Sequence, residues 1–401
     1  MPNTADCIIV GGGVMGCAIA YNLAKQGLKP MVIEKSDIGG EASGSNGGGV
    51  RQSARDLREM PLAMESIRMY GHLHEELEMD VEYVRKGNLR LCTNEEEMTA
   101  MRNAVINQKS AGLELEMLDR QQVLEINPYV GERVIGASFC PTDGHANPFM
   151  VTYGFFKKAK ALGARFHTHE VVTDIRLQKG KVSAVITDKQ VIETDLVVNA
   201  AGVAGRKIAN MVGLDLPMKS IFSEALITEP YPPLFQQMVG HAKALFYGRQ
   251  TVHGPFFWGG FVGTEDYIYR TGKPLFNYIG PAISKSVLDY FPVLKNLHVI
   301  RMWSGLIALM SDGIPVLGLT EEVPGFVFST GFSGHGFGLA PIIGRLMGEL
   351  IMDCKTSLSI QDFCYGRFGR GTHDLCGIGE NGSCALRDDF CPNKREALQD
   401  I

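Results

Sequence analysis

No stretch of this sequence approaches the roughly 18 consecutive apolar residues that a membrane helix needs. The apolar runs are short, and Ile8–Val10 is closed by Asp6 on one side and by glycines on the other. Positive charge is not in excess: 39 Lys and Arg stand against 44 Asp and Glu, a formal net charge of −5. No basic stripe interleaves with aromatic residues, which argues against a nucleic-acid partner. The opening residues Met1–Asp6 lack the basic segment of a secretory leader, so a cytoplasmic location is expected. Cysteine pairing is also missing. The nine cysteines are an odd number, do not pair by spacing and match no zinc pattern, so most are expected to be reduced, small apolar fillers. His72-Leu73-His74 and His167-Thr168-His169 have no third ligand nearby, and no metal site is expected.

What is present is an ordinary globular composition, 45% hydrophobic and 21% charged over 401 residues, long enough for two domains. Its organising stretch is Cys7–Gly16, read as a strand running into a glycine turn, then a helix over Cys17–Gln26 and a second strand, Met31–Glu34. Gly11, Gly13 and Gly16 stand in G-x-G-x-x-G spacing. The first glycine permits the tight turn, the second a close approach to a pyrophosphate, the third the packing of helix on strand. The N-terminus of the helix that follows Gly16 favours anions. Glu34 ends the second strand about 20 residues on, where a carboxylate accepts from ribose hydroxyls. The pattern predicts a bound dinucleotide.

A second small-residue loop follows, Gly39–Arg51. A loop this long in a compact domain is usually functional or else a disordered linker, and its place directly after the nucleotide motif favours function. Helices are predicted over Arg55–Leu77, Asn94–Ala111, Asp119–Asn127, Met150–Leu162 and Pro281–Phe291. Three strands in quick succession are read over Arg165–His169, Glu170–Gln178 and Lys181–Thr187. Asp195–Gly202 is a buried strand entering a small-residue turn. From Met218 to Arg270 the alternation and the aromatics predict the antiparallel sheet of a second domain. Val299–Trp303 is a further strand. Near the end, the strand Gly325–Thr330 runs into Gly331–Gly338 and a helix Pro341–Met352, a second strand–turn–helix unit. Beyond Phe368 the sequence is a polar tail carrying Cys376, Cys384 and Cys391.

Four landmarks in order, Gly11–Gly16 with Glu34, the Ser43–Arg51 loop, Asn199–Gly202 and Gly331–Gly338, resemble the D-amino-acid-oxidase-like (DAO) family of FAD-dependent oxidoreductases. Asp143–Pro148, Arg301–Gly305 and Asp312–Pro315 narrow the resemblance to the branch holding glycine and sarcosine oxidases and proline, hydroxyproline and opine dehydrogenases. The resemblance implies an α/β fold. A discontinuous Rossmann-like FAD-binding domain would comprise residues 1–85, 145–218 and 300–368. An α+β substrate domain with a mixed, largely antiparallel sheet would comprise 86–144 and 219–299, followed by a tail, 369–401. FAD would be held without a covalent bond. By resemblance, Gly11, Gly13, Val14, Met15 and Gly16 meet the pyrophosphate, and Glu34 and Lys35 the adenosine. Ala42, Ser43, Ser45, Asn46, Gly47 and Gly48 line the pyrophosphate and the ring, Val172 meets the adenine, and Ala201-Gly202 pass near it. Gly305 and Gly334, His335, Gly336, Phe337 and Gly338 lie around the ring. There a helix dipole stabilises negative charge on the reduced flavin.

The sequence departs from these relatives. Gly338 stands where monomeric sarcosine oxidases carry a carboxylate-binding lysine, and Ile307 where glycine oxidase carries an arginine. Pro148 lies near the histidine that bonds FMN in heterotetrameric sarcosine oxidases. The strand Phe256–Phe261 lacks the oxygen-activating lysine. These departures favour a dehydrogenase that oxidises the C–N bond of an imino or N-substituted amino acid by hydride transfer to flavin N5. The α-hydrogen would be held about 3–3.5 Å from that atom. An oxidase releasing peroxide and a flavoprotein subunit passing electrons to a partner are the alternatives. A carboxylate substrate needs a cation facing the ring, and Arg51 and Arg249 are the candidates, with Arg301 read as structural. His253 and Trp258, with Tyr247 and Tyr267, would form an aromatic wall.

Overall fold

The computed structural model describes residues 3–243, 246–260 and 279–369. The expected tail cysteines and Tyr267 lie outside them.

The apolar strand Ile8–Val10 sits inside a six-stranded sheet ordered Val316–Leu319, Phe326–Thr330, Val197–Asn199, Ile8–Val10, Met31–Ile33, Arg165–His167. All neighbours are parallel except the first pair. Parallel strands are covered on both faces, which is why these read as unbroken apolar runs. One face carries the helices Val14–Lys25 and Gly336–Asp353. They approach closely: a Cβ added at Gly344 would lie 2.8 Å from the Ala18 Cβ. The other face carries a three-stranded sheet, Val191–Glu193, Lys181–Thr187 and Val172–Gln178, through Ile175, Val182, Val185 and Ile192.

The second sheet has eight strands, ordered Val299–Met310, Met218–Thr228, Phe256–Gly260, Phe246–Gln250, Met238–His241, Asn88–Cys92, Gly136–Cys140, Glu116–Asp119. It is mixed, because Met238–His241 runs parallel to Asn88–Cys92 and the other pairs are antiparallel. Its outer face packs Leu89, Leu91, Leu226, Phe256 and Trp258 under the helix Ile279–Tyr290. Its inner face covers the glycine loops.

The expected boundary at residue 300 splits a strand that belongs whole to the covering sheet, since Val299–Met310 pairs along Met218–Thr228. The helix expected over Arg55–Leu77 is two, Met60–Tyr70 and Leu73–Leu77. Arg165–His167 joins the six-stranded sheet, apart from the two strands after it. The helix expected from Pro341 starts at Gly336, with Pro341 inside it. Six cysteines, Cys7, Cys17, Cys92, Cys140, Cys354 and Cys364, are free and buried, as fillers should be.

Candidate active site

At the first glycine turn, Gly11 has φ +110°, and a Cβ there would meet the Ala200 carbonyl oxygen at 2.5 Å. A Cβ on Gly16 would sit 1.9 Å from the Gly11 carbonyl oxygen, so strand and helix touch backbone to backbone. The helix opens at Val14 without a side-chain cap from Gly13. Instead the Val14 amide donates to Ser43 Oγ at 2.8 Å, across to the second loop. The amides of Gly13, Met15 and Gly16 make no hydrogen bond among the described residues. They are the donors a helix N-terminus offers to phosphate oxygens. Glu34 closes its strand with one carboxylate oxygen on the Gly12 amide at 2.7 Å and the other on the Ser36 amide and hydroxyl at 2.8 and 2.9 Å. Lys35 pairs with Glu41 at 3.1 Å. Val172 begins its strand in the core beneath. Ala201 and Gly202 turn out of the strand Val197–Asn199, and Gly202 accepts from Thr330 at 3.2 Å.

The second loop passes through a helical turn, Ala42–Ser45. Asn46 staples it: Nδ2 donates to the Ser43 and Ala42 carbonyls at 2.7 and 3.2 Å, and Oδ1 accepts from the Gly48 amide at 2.8 Å. Glycine is needed here because the covering sheet leaves no room. A Cβ on Gly47 would lie 2.4 Å from the Phe257 ring, and one on Gly48, φ +74°, would lie 2.1 Å from the Ala146 carbonyl oxygen. Trp303 Nε1 donates to the Ser45 carbonyl at 3.0 Å, and a Cβ on Gly305 would lie 3.0 Å from the Ser45 Cβ.

Strand alternation decides which expected side chains reach this interface. Trp258 faces away. It is buried in the outer core, stacked on Phe256 with centroids 5.9 Å apart and packed on Phe291. Phe257, one residue earlier, takes the place expected of it, beside Tyr247 and Trp303 at 5.9 and 5.8 Å. His253 is an exposed side chain paired with Glu82 at 2.9 Å, far from an aromatic wall. Arg249 reaches the loop but is fully engaged there. Its Nε donates to the Gly47 carbonyl at 2.7 Å, Nη2 to the Ala146 carbonyl at 3.3 Å, and Nη1 faces His145 Nδ1 at 3.3 Å. It clamps loop to sheet. Arg51 turns its guanidinium onto the Ser53 and Ala54 carbonyls at 2.5 and 3.0 Å, and burial lowers its pKa. Arg301 lies over the Trp303 ring at 5.5 Å and is exposed.

Beneath the second turn lies a buried ion cluster that sequence reasoning missed. Glu59 accepts from His335 Nδ1 at 2.9 Å and lies 3.6 Å from Arg55 Nη1. Burial opposes its charge, yet His335, Arg55 and Arg51 together hold its carboxyl below the usual range. Burial lowers the His335 pKa and pushes that of Arg55 down to about 10. A carboxylate only accepts, so the His335 proton sits on Nδ1 and leaves Nε2 as an acceptor. Gly338 is explained as well: a Cβ there would lie 2.9 Å from Arg55 Nη2. The guanidinium fills the space beside that position.

A glycine turn at a helix N-terminus, an acidic second strand, a second strand–turn–helix unit and a roofing mixed sheet define a two-domain dinucleotide oxidoreductase. The sequence model of the DAO family, "FAD dependent oxidoreductase", matches residues 6–350, and the chain belongs to that family. It is similar to a subunit of the opine oxidase of Rhizobium meliloti, 29% identical over 86% of this chain and 95% of that protein. The beta subunit of the sarcosine oxidase of Rhodobacter capsulatus is 27% identical over 91% of this chain and 89% of that one. Among solved structures, L-proline dehydrogenase from P. horikoshii superimposes with a TM-score of 0.86 and 31% identity, covering 92% and 99% of the two chains. The cofactor is therefore FAD. The residues present fit it: glycines where a Cβ would collide, unpaired amides at a helix start, and a carboxylate ending the second strand. Among the described residues no helix is long and apolar enough to cross a membrane.

Proposed function

We propose that this chain is an FAD-dependent dehydrogenase that oxidises the C–N bond of an imino acid or N-substituted amino acid to an imine, which water then hydrolyses. The observation that carries this reading is the inner face of the covering sheet. There Tyr247, Phe257 and Trp303 form an apolar wall against the loop, and its strand Phe256–Gly260 carries no lysine. The names of the relatives support the substrate class, since opines, sarcosine and L-proline are all secondary amines with a carboxylate.

The first-turn amides of Gly13, Met15 and Gly16 would hold the pyrophosphate and Glu34 the ribose. Ser43–Gly48 and Gly334–Gly338 would line the ring. Bound flavin supplies the acceptor for two electrons and a hydrogen from the C–N carbon. The protein's own part is position and exclusion of water. Phe257 and Trp303 press on the Ser45–Gly47 backbone, and Arg249 pins Gly47 to the sheet. His335, at the start of the helix Gly336–Asp353, donates its Nδ1 proton to Glu59, which fixes the ring at the helix start.

The test is anaerobic mixing of the flavin-loaded protein with D- and L-proline, hydroxyprolines, sarcosine, glycine, D-alanine and an opine. One secondary amino acid should bleach the flavin quickly, and air should restore the colour slowly. Fast recovery in air would make it an oxidase. No bleaching would favour a second reading, one component of a complex that needs its partner. The names of the opine oxidase and sarcosine oxidase relatives support it, since each is called a subunit. Gel filtration with activity toward an artificial acceptor separates that case.

A further inference from the structure

Among the described residues, Arg90 on the inner face of the covering sheet has no carboxylate in an ion pair with it. Arg90 stands in the strand Asn88–Cys92, between Leu89 and Leu91, which are fully buried in the outer core. Alternation turns it to the opposite face, the face of Asn88, whose amide reaches Ser53 at 3.2 Å just past the second loop.

A single row of paired residues crosses this face: Trp303 to Ala225, Ala225 to Gly259, Gly259 to Tyr247, Tyr247 to Gly240, Gly240 to Arg90. Small residues separate the large ones along it, Ala225 and Gly259 between Trp303 and Tyr247 and Gly240 between Tyr247 and Arg90. A Cβ on Gly259 would collide with the Tyr247 ring at 2.7 Å. One on Gly240 would lie 3.4 Å from Arg90 Nη1 and 3.5 Å from the Tyr247 Cβ. The missing side chain at 240 is what lets the guanidinium lean toward Tyr247, the residue that also borders Gly47.

That guanidinium is under-used. Nη1 donates to the His241 carbonyl at 3.3 Å. Nε is completely shielded from solvent and has no hydrogen-bond partner. Among the described residues no carboxylate forms an ion pair with it. The charges that act on it are Arg51, of like sign, and Asp143. Asp143 is already committed, one oxygen to the Gln52 and Ser53 amides and the other to the Ser53 hydroxyl and Asn88. A partly buried guanidinium with a shielded, idle Nε and another guanidinium acting on it gains from an anion at its open Nη edge. Arg249, on the same face, spends its donors on the loop and on His145.

We propose that Arg90 binds the carboxylate of the substrate, the open Nη edge of its planar group taking the two oxygens while Tyr247 and Phe257 bound the apolar part of the molecule. Fork-on-carboxylate pairing is the strong, orienting form of this contact. The proposal rests on the reading of the chain as an amino-acid oxidoreductase, and it names the residue that makes the amino acid's acid end the handle.

The test is calorimetric titration of the flavin-loaded protein with acetate, a carboxylate that has no C–N bond to oxidise, and with acetamide, its uncharged counterpart. The wild type should bind acetate and not acetamide. Arg90→Met should weaken acetate by roughly 10- to 100-fold, the loss of charged hydrogen bonds. Arg90→Lys, which keeps the charge and loses the fork, should fall between. Flavin content and Tm of each variant report folding. Wild-type affinity for acetate in a flavin-loaded Arg90→Met protein would overturn the proposal alone, as would equal binding of acetate and acetamide by the wild type. A folded wild type that takes up no flavin would overturn the enzyme reading, and this proposal with it.

Discussion

The hydroxyl of Tyr70 donates to the backbone carbonyl of Phe337 at 2.7 Å, four residues ahead of Pro341. In an uninterrupted helix that carbonyl would accept from the amide of residue 341, which proline lacks. Tyr70 supplies the missing donor from the neighbouring helix and so permits the helix to begin at Gly336. Tyr70→Phe should leave this carbonyl buried and unpaired, at a cost of about 1–3 kcal/mol. Urea unfolding should show that loss, and flavin release on dilution should become faster because the second turn is less firmly held.

Gly16 tests the dinucleotide cradle. The Cβ of Gly16→Ala would sit 1.9 Å from the Gly11 carbonyl oxygen, backbone that cannot yield. The purified variant should have lost nearly all its visible flavin absorption, while Gly27→Ala, whose φ of +94° costs local strain just past the helix C-cap but whose Cβ meets nothing within 4 Å, keeps it.

His145 gives a pH dependence with a definite sign. Its Nε2 faces the Gln236 carbonyl at 3.2 Å and its Nδ1 faces Arg249 at 3.3 Å. A carbonyl only accepts and a guanidinium only donates, so the ring is neutral with its proton on Nε2. Burial, with Arg249 adding to it, pushes its pKa down to about 3. The unfolded chain takes up a proton below the ordinary histidine value of about 6.5. The stability this neutral ring gives is therefore complete above that value and lost as pH falls toward 3. The slope is about 1.4 kcal/mol per pH unit for one proton. His145→Gln should remove that component from a plot of unfolding midpoint against pH, and wild-type chevrons or melts at pH 4 to 7 should show it.

Glu59 holds the cluster under the second turn. Glu59→Gln removes the carboxylate that raises the His335 pKa and faces Arg55. Breaking a buried pair on one side typically costs about 3–5 kcal/mol. Thermal melts should report a loss of that order, and the His335 ring signals in NMR should show a titration midpoint lower than in the wild type.

The two sides of one strand give a matched pair. Trp258→Ala should cost about 3–5 kcal/mol of stability through the cavity it leaves in the outer core, with the flavin spectrum unchanged. Phe257→Ala should shift that spectrum and slow turnover, because its ring stands against Gly47.

The cofactor end was legible because each step of it is local. Turn glycines, helix start and acidic strand end lie within Ile8–Glu34, and a Cβ would strike backbone at Gly11 and Gly16, though at Gly13 it would meet only Ser43 Oγ at 3.0 Å. The substrate side was not, because alternation says which residues share a face and not which face is covered. Asn88-Leu89-Arg90-Leu91-Cys92 turns Arg90 away from two leucines. Only the long-range pairing of Met238–His241 with that strand sets it beside Tyr247 and under the loop. The same ambiguity put Trp258 on the wall in place of Phe257. Glu59 stands four residues after Arg55, a local spacing, but nothing in the sequence brings it to His335, 276 residues on.

The strand Phe326–Thr330 inserts between Val316–Leu319 and Val197–Asn199, and Val299–Met310 closes the edge of the covering sheet against Met218–Thr228. In chain order the glycine turn at Gly11–Gly16 is made well before Val299–Met310 and Phe326–Thr330, the strands that complete its roof and its sheet. Closure of the cradle around its cofactor therefore waits for those two strands.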